Sequence, residues 1–182
     1  AAARGAEGGQ PHRARLHRRG AGRLLPARLL RQPERLHSLL ISCEKWDRLE
    51  PELRDLPESI PIYVADLDVI GDVAGFHVHR GVLAIGHRPG ALELSMAHVL
   101  GGLDLSSPRT LLLAIGITNV DNMGSLFRNA AAFGIDAIIL DGSCCDPLYR
   151  KSIRVSMGHV LGVPWAVTED WMSSLEELRS RW

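Results

Sequence analysis

Apolar residues along this chain fall into short runs closed by charged or turn residues, and their rhythm changes near residue 109. Before that point the pattern is mixed. Leu36 to Ser42 (LHSLLIS) predicts a short buried strand, and Ile60 to Ala65 (IPIYVA) a second one, with Pro61 confining it to an edge or a strand start. Between them Leu49 to Leu56 alternates leucine with charge and predicts a helix ended by Pro57. Arg23 to Arg31 has helix-compatible leucine spacing, with Pro26 either in its first turn or at a kink. Gly75 to Pro89 predicts a glycine-bounded loop followed by the strand Val82 to Ile85. Gly90 to Pro108 predicts a helix and a turn-rich connection, where the domain boundary is expected.

From Arg109 onward the spacing is more regular. Thr110 to Ile117 (TLLLAIGI) is a continuous apolar run between turn residues, the pattern of a strand covered on both faces of a parallel sheet. Asn122 to Phe133 has small and apolar residues at helical spacing, with Gly134 as its C-terminal stop, and Ala137 to Leu140 is a second buried strand. Strand, loop, helix and strand within about 30 residues predict a β-α-β unit with a right-handed crossover. A helix over Ile153 to Leu161, a short strand over Val163 to Val167 and a last helix over Glu169 to Arg181 are expected to follow.

Composition narrows the class. With 182 residues, 46% apolar and 23% charged, the chain has enough apolar surface for one larger or two small cores. No apolar run approaches the roughly 20 residues of a membrane span, and the arginine-rich start lacks the apolar segment of a secretory signal, so a cytoplasmic protein is expected. Three cysteines, Cys43, Cys144 and the adjacent Cys145, suit neither a disulfide framework nor a metal cluster. His77, His79 and His87 lie close in sequence, but His-x-His in a loop is more often structural, and no metal is expected. The net charge of zero conceals an asymmetry: residues 1–35 carry nine arginines against Glu7 and Glu34, a net +7, and the rest of the chain −7. A basic, aliphatic-poor arm over residues 1–22 is expected to be disordered and to attract phosphates.

Asn119 to Gly134, NVDNMGSLFRNAAAFG, carries the chemistry. It is a loop at the carboxyl end of a buried strand running into a helix N-terminus, where open α/β sheets bind ligands and the helix dipole favours anions. Gly124 permits close approach of a backbone or ligand, and Arg128, one turn further, offers a planar set of donors for a phosphate. The residues alone leave open an anion or nucleotide site and an ordinary βα turn with a solvated arginine. A dinucleotide-dependent oxidoreductase is disfavoured, because no G-x-G-x-x-G turn follows the strand.

Asn122, Gly124, Arg128, Ala130, Phe133 and Gly134 match, in order and spacing, the first signature motif of the SpoU-type (TrmH) RNA methyltransferases of the SPOUT superfamily, which this segment closely resembles. Asn119 and Val120 depart from the Asp or Glu and Pro usual there. Asp146 to Pro164 (DPLYRKSIRVSMGHVLGVP) is similar to the family's Ser-x-Gly helix region, and the looser resemblance extends forward to about Arg23.

The resemblance implies an α/β architecture. A basic arm (1–22) precedes a small, ribosomal-protein-like RNA substrate-binding domain (23–90), then a linker (91–108) and the first part of a parallel-sheet trefoil-knot domain (109–182), with the knot incomplete in this chain. It implies transfer of a methyl group from S-adenosylmethionine to a ribose 2′-hydroxyl of rRNA or tRNA, never DNA, and a homodimer at full length without membrane attachment. Arg128 would be the activating residue and Asn122 and Gly124 would serve substrate binding. Because a guanidinium stays protonated, Arg128 would either orient the hydroxyl and its adjacent phosphate while the phosphate takes the proton, or act with a pKa lowered in the closed site. The family's Gly-x-Glu-x-x-Gly and Ser-Leu-Asn-Val segments do not occur before Trp182, so the cofactor-binding residues are expected beyond it. The alternative is a noncatalytic RNA-binding paralogue or an inactive fragment.

Overall fold

The computed structural model describes residues 19–21, 28–104, 106–107 and 109–181. The chain divides into two compact units, 1–88 and 89–182.

The first unit contains β1 (Arg19–Ala21), β2 (Leu36–Ser42), α1 (Cys43–Leu53), β3 (Ile62–Ala65), α2 (Leu67–Ala74) and β4 (Val82–Gly86), with a single 3₁₀ turn at Pro33–Arg35 ahead of β2 among the described residues. Its sheet has the order β1-β4-β2-β3, with β2 and β3 parallel and β4 antiparallel to both β2 and β1. Leu39 and Ile41 on β2 are buried, as the alternation of LHSLLIS requires for a central strand. The helix α2 has no counterpart among the sequence expectations. Its Ile70 and Ala74, four residues apart, meet Val78 and Leu83 in one apolar cluster. α1 starts six residues earlier than expected and runs through Pro51 to Leu53.

Most of the expected arm over residues 1–22 lies outside the described residues; within it, Arg19–Ala21 forms β1. Arg19–Ala21 pairs antiparallel with Leu83–Ile85. Strand pairing at a sheet edge uses backbone N–H and C=O groups and needs no aliphatic side chain, so poverty in aliphatics does not prevent it. The expected helix over Arg23 to Arg31 is described only from Arg28, where a helical turn ends.

The second unit contains α3 (Met96–Gly101), β5 (Leu111–Ala114), α4 (Val120–Phe133), β6 (Ala137–Asp141), α5 (Arg150–Val155), β7 (Trp165–Thr168) and α6 (Trp171–Arg181). Its sheet is parallel throughout, in the order β5-β6-β7. Ala137 and Ile139 join Met96, Val99, Leu100, Ala166 and Leu178 in a core on one face. Successive side chains alternate, so Ile138 and Leu140 belong to the other face. There Phe127 and Trp165 meet edge to face, with centroids 6.2 Å apart. Residues 91–108, expected as linker, thus supply α3 to this core.

The strand expected over Thr110 to Ile117 is confined to Leu111–Ala114, and it is not covered on both faces: Leu113 is 40% exposed and Ile115, beyond its end, 60%. An apolar run does not disclose its place in the sheet. Here β6 is the central strand, with Ala137 to Leu140 fully buried, and β5 is the edge. Likewise the helix expected over Ile153 to Leu161 divides into α5 and a 3₁₀ turn at His159–Leu161, separated by Met157 and Gly158 in left-handed conformation.

Candidate functional site

The site is built where β5 gives way, through residues 115–119, to α4. Asn119 caps that helix: its side-chain oxygen accepts from the N–H groups of Asp121 (2.8 Å) and Asn122 (3.1 Å), satisfying two of the donors a helix start leaves open. Gly134, with φ of 69°, ends it in the left-handed conformation. An amphipathic helix results, with Met123, Phe127 and Ala130 buried.

The opposite face is polar. Asp121, Ser125 and Arg128 follow the i, i+4, i+7 rule and form one line along the helix, with Asn122 and Asn129 beside it. Asn122, Ser125, Arg128 and Asn129 are exposed. Arg128 has no hydrogen bond or ion pair within the chain among the described residues, so its guanidinium is available to an outside ligand. The two expected polar residues, Asn122 and Arg128, therefore share one outward face. Gly124 does not. It is buried against α5, and a Cβ placed on it would lie 2.6 Å from the Val155 Cβ and 2.8 Å from the Ser152 carbonyl oxygen. The close approach that Gly124 permits is that of a neighbouring helix.

Further contacts fasten α4 to α5. The Ser152 hydroxyl, fully buried, donates to the Val120 carbonyl at 3.0 Å, and the Lys151 ammonium donates to the Asp121 carboxylate at 2.7 Å. The first is enclosed and directional. In the second both side chains are 46% exposed, which leaves it little net energy.

The loop is fastened on its other side by the turn after β6. Asp141 accepts from the Ser143 hydroxyl (2.6 Å), from the Gly116 N–H (2.9 Å) and from the Cys144 thiol (3.1 Å). These donors, the Ser143 hydroxyl foremost, hold its carboxyl at about 2 rather than the ordinary 3.8. Burial, with the Asp141 carboxylate beside it, pushes the Cys144 thiol up, which keeps it an S–H donor. Cys144 also accepts from the Ile117 N–H at 3.3 Å, and the Cys145 N–H donates to the Ile117 carbonyl at 2.8 Å. Residues 116 and 117 are thus stitched to residues 141–145 by both side chain and backbone.

Sequence reasoning did not single out Asp141, Cys144, Ser152 or the capping role of Asn119. An asparagine just before a helix is a recognised start signal and was available. The other three act through partners more than 20 positions away, which no local pattern discloses. Among the described residues no three His, Cys, Asp or Glu side chains gather as a metal site, and no helix is long and apolar enough to cross a membrane.

With this geometry in view, comparison with known proteins gives consistent findings. The profile of the SpoU rRNA Methylase family matches residues 109–182. A tRNA/rRNA methyltransferase of Mycobacterium tuberculosis, itself uncharacterised, is 43% identical over 135 residues, covering 73% of this chain and 44% of that protein. The 23S rRNA (guanosine-2′-O-)-methyltransferase RlmB of Neisseria meningitidis is 30% identical over 158 residues, covering 84% of this chain and 61% of that protein. Among solved structures, the SpoU methyltransferase AviRb from Streptomyces viridochromogenes in complex with the cofactor AdoMet superposes with a TM-score of 0.65 at 19% identity, covering 90% of this chain and 59% of that one. The chain therefore spans only about half the length of the relatives it matches.

Proposed function

We propose that this chain, whose residues 109–182 match the SpoU rRNA Methylase family, supplies the RNA-facing part of an enzyme that transfers a methyl group from S-adenosylmethionine to a ribose 2′-hydroxyl of rRNA or tRNA. The observation that carries this reading is the outward face of α4. Arg128 stands there beside Ser125 and Asn129, with Asn122 at the margin of the same exposed arc, in the segment the family profile covers, free of internal partners that would consume Arg128. The relatives named for 2′-O-methylation and the neighbour crystallised with AdoMet support the acceptor atom and the donor.

A 2′-hydroxyl attacks a sulfonium methyl only when it is held in line and relieved of its proton. A guanidinium remains protonated, so Arg128 acts as a positioning donor: its planar N–H groups bind a phosphate oxygen and hold the adjoining ribose, while the substrate's own adjacent phosphate takes up the hydroxyl proton. Asn122 adds a neutral donor and acceptor six residues nearer the loop on the same helix. A site dependent on the 2′-hydroxyl selects RNA over DNA. When bound, S-adenosylmethionine supplies the electrophilic methyl group. The residues assigned here are those facing RNA. A cytoplasmic location and a homodimer at full length are part of the same proposal.

The test is Arg128→Lys in the full-length protein, assayed by single-turnover methylation and by RNA binding. Lysine keeps the charge and loses the planar geometry. The expected outcome is a collapse of the transfer rate with RNA affinity changed by about tenfold or less, since one phosphate contact among several is altered. Wild-type transfer by this variant would remove Arg128 from the chemistry.

A further inference from the structure

The first unit carries a cleft of its own. The 3₁₀ turn at Pro33–Arg35, the start of β2, the segment 57–61 and the end of β4 line an open cleft of about 540 Å³. Its construction is specific. The register between β2 and β4 shifts between Leu36 and Ser38, which leaves His37 outside the regular pairing. Gly86 allows the 3₁₀ turn to close over the strand end, since a Cβ there would lie 3.1 Å from the Arg35 carbonyl oxygen and from the Leu29 side chain. The His87 N–H then donates to that same carbonyl at 2.7 Å. The outcome is that two exposed imidazoles, His37 and His87, meet edge to face with centroids 5.2 Å apart on the wall of the cleft.

The lining has the character of a site for a flat, polar-edged ring. Leu36 and Ile60, both buried, supply apolar surface, the imidazoles supply π faces, and the Glu34 carboxylate supplies an acceptor. Arg35 and Arg88 stand next to the lining residues along the chain. His37, His87 and Glu34 do not gather as a metal-ligand set among the described residues. We propose that this cleft takes one unpaired nucleobase of the RNA substrate, stacked on the His37–His87 pair, with Glu34 accepting from the amino or imino edge of the base. The proposal rests on the reading of the protein as an RNA-modifying enzyme and extends it to a second point of attachment, which selects an unstacked nucleotide rather than a continuous duplex. Single-stranded and looped RNA is read in this way, by stacking on aromatic side chains and hydrogen bonding to base edges.

The experiment uses the whole chain and a fluorescein-labelled, mixed-sequence single-stranded octaribonucleotide, with binding followed by anisotropy. Both histidines are exposed, so the doubly substituted His37→Ala, His87→Ala protein is expected to keep its melting temperature. Its octamer affinity should fall about fivefold or more, the effect of removing an aromatic stacking partner. The corresponding double phenylalanine substitution should restore most of that affinity, because it keeps the π faces. Equal octamer binding by the wild-type and double-alanine proteins overturns the proposal, as does failure of phenylalanine to restore what alanine removes. If the wild type binds folded rRNA or tRNA transcripts but not the octamer, the nucleobase site is again excluded while the RNA-methyltransferase reading stands. Failure of the Arg128→Lys test affects only the latter.

Discussion

Gly124 and Asp141 show how single residues determine whether the polar face of α4 is presented correctly. At Gly124 α4 packs directly against α5, and a methyl group there has no room between Val155 and the Ser152 carbonyl. Gly124→Ala is therefore expected to destabilise the protein by about 1–3 kcal/mol, the usual cost of overpacking, despite alanine's better helix propensity. Urea denaturation of the variant checks this, and an unchanged midpoint would show that the helices part freely. Asp141 acts on the other side of the loop. Its folded pKa of about 2 lies below the ordinary 3.8, so its stabilising effect is fully present above pH 3.8 and is lost as pH falls toward 2. Asp141→Asn should accordingly be less stable than wild type at neutral pH, with the difference shrinking across that acid window. A difference that does not vary with pH would mean that the ionised carboxylate is not what ties Gly116 in place.

At the scale of elements, the pairing of α4 with α5 separates two contacts that look alike on paper. The Ser152 hydroxyl is sealed from solvent and satisfies the Val120 carbonyl, whereas the Lys151–Asp121 pair is open to water. Ser152→Val removes a buried donor and adds bulk, and is expected to cost about 1–3 kcal/mol. Lys151→Met is expected to cost under about 1 kcal/mol. Thermal or chemical unfolding of the two variants side by side distinguishes them, and a larger loss from Lys151→Met would reverse the assignment. Element boundaries followed the sequence where the local signal was strong. Leu36–Ser42 and Ala137–Asp141 fall within one residue of the expected strands, because each is an apolar run cut off by polar or turn residues. α2 was not expected, although Ile70 and Ala74 carry a helical spacing, since one eight-residue amphipathic stretch between two strands resembles a loop until something packs on it.

At the scale of the whole molecule, charge is divided along the chain rather than balanced within it. Residues 1–18 contain Arg4, Arg13, Arg15 and Arg18 against Glu7, and removing them leaves β1 in place. RNA binding by that shortened protein should lose salt dependence, its log-log slope falling by up to about 3 for four phosphate contacts. An unchanged slope would show that these arginines do not touch RNA. By itself the sequence determined the α/β character of residues 109–182 and the helix that carries Asn122 and Arg128, because these depend on patterns repeated within a few residues. Only the tertiary structure decided that β6 and not β5 is the buried centre of the sheet, that Gly124 serves a helix contact, that Asp141 and Cys144 hold the loop, and that His37 meets His87. Each of these joins groups distant along the chain. Periodicity reports which side of an element is buried; what buries it is settled only when the elements assemble.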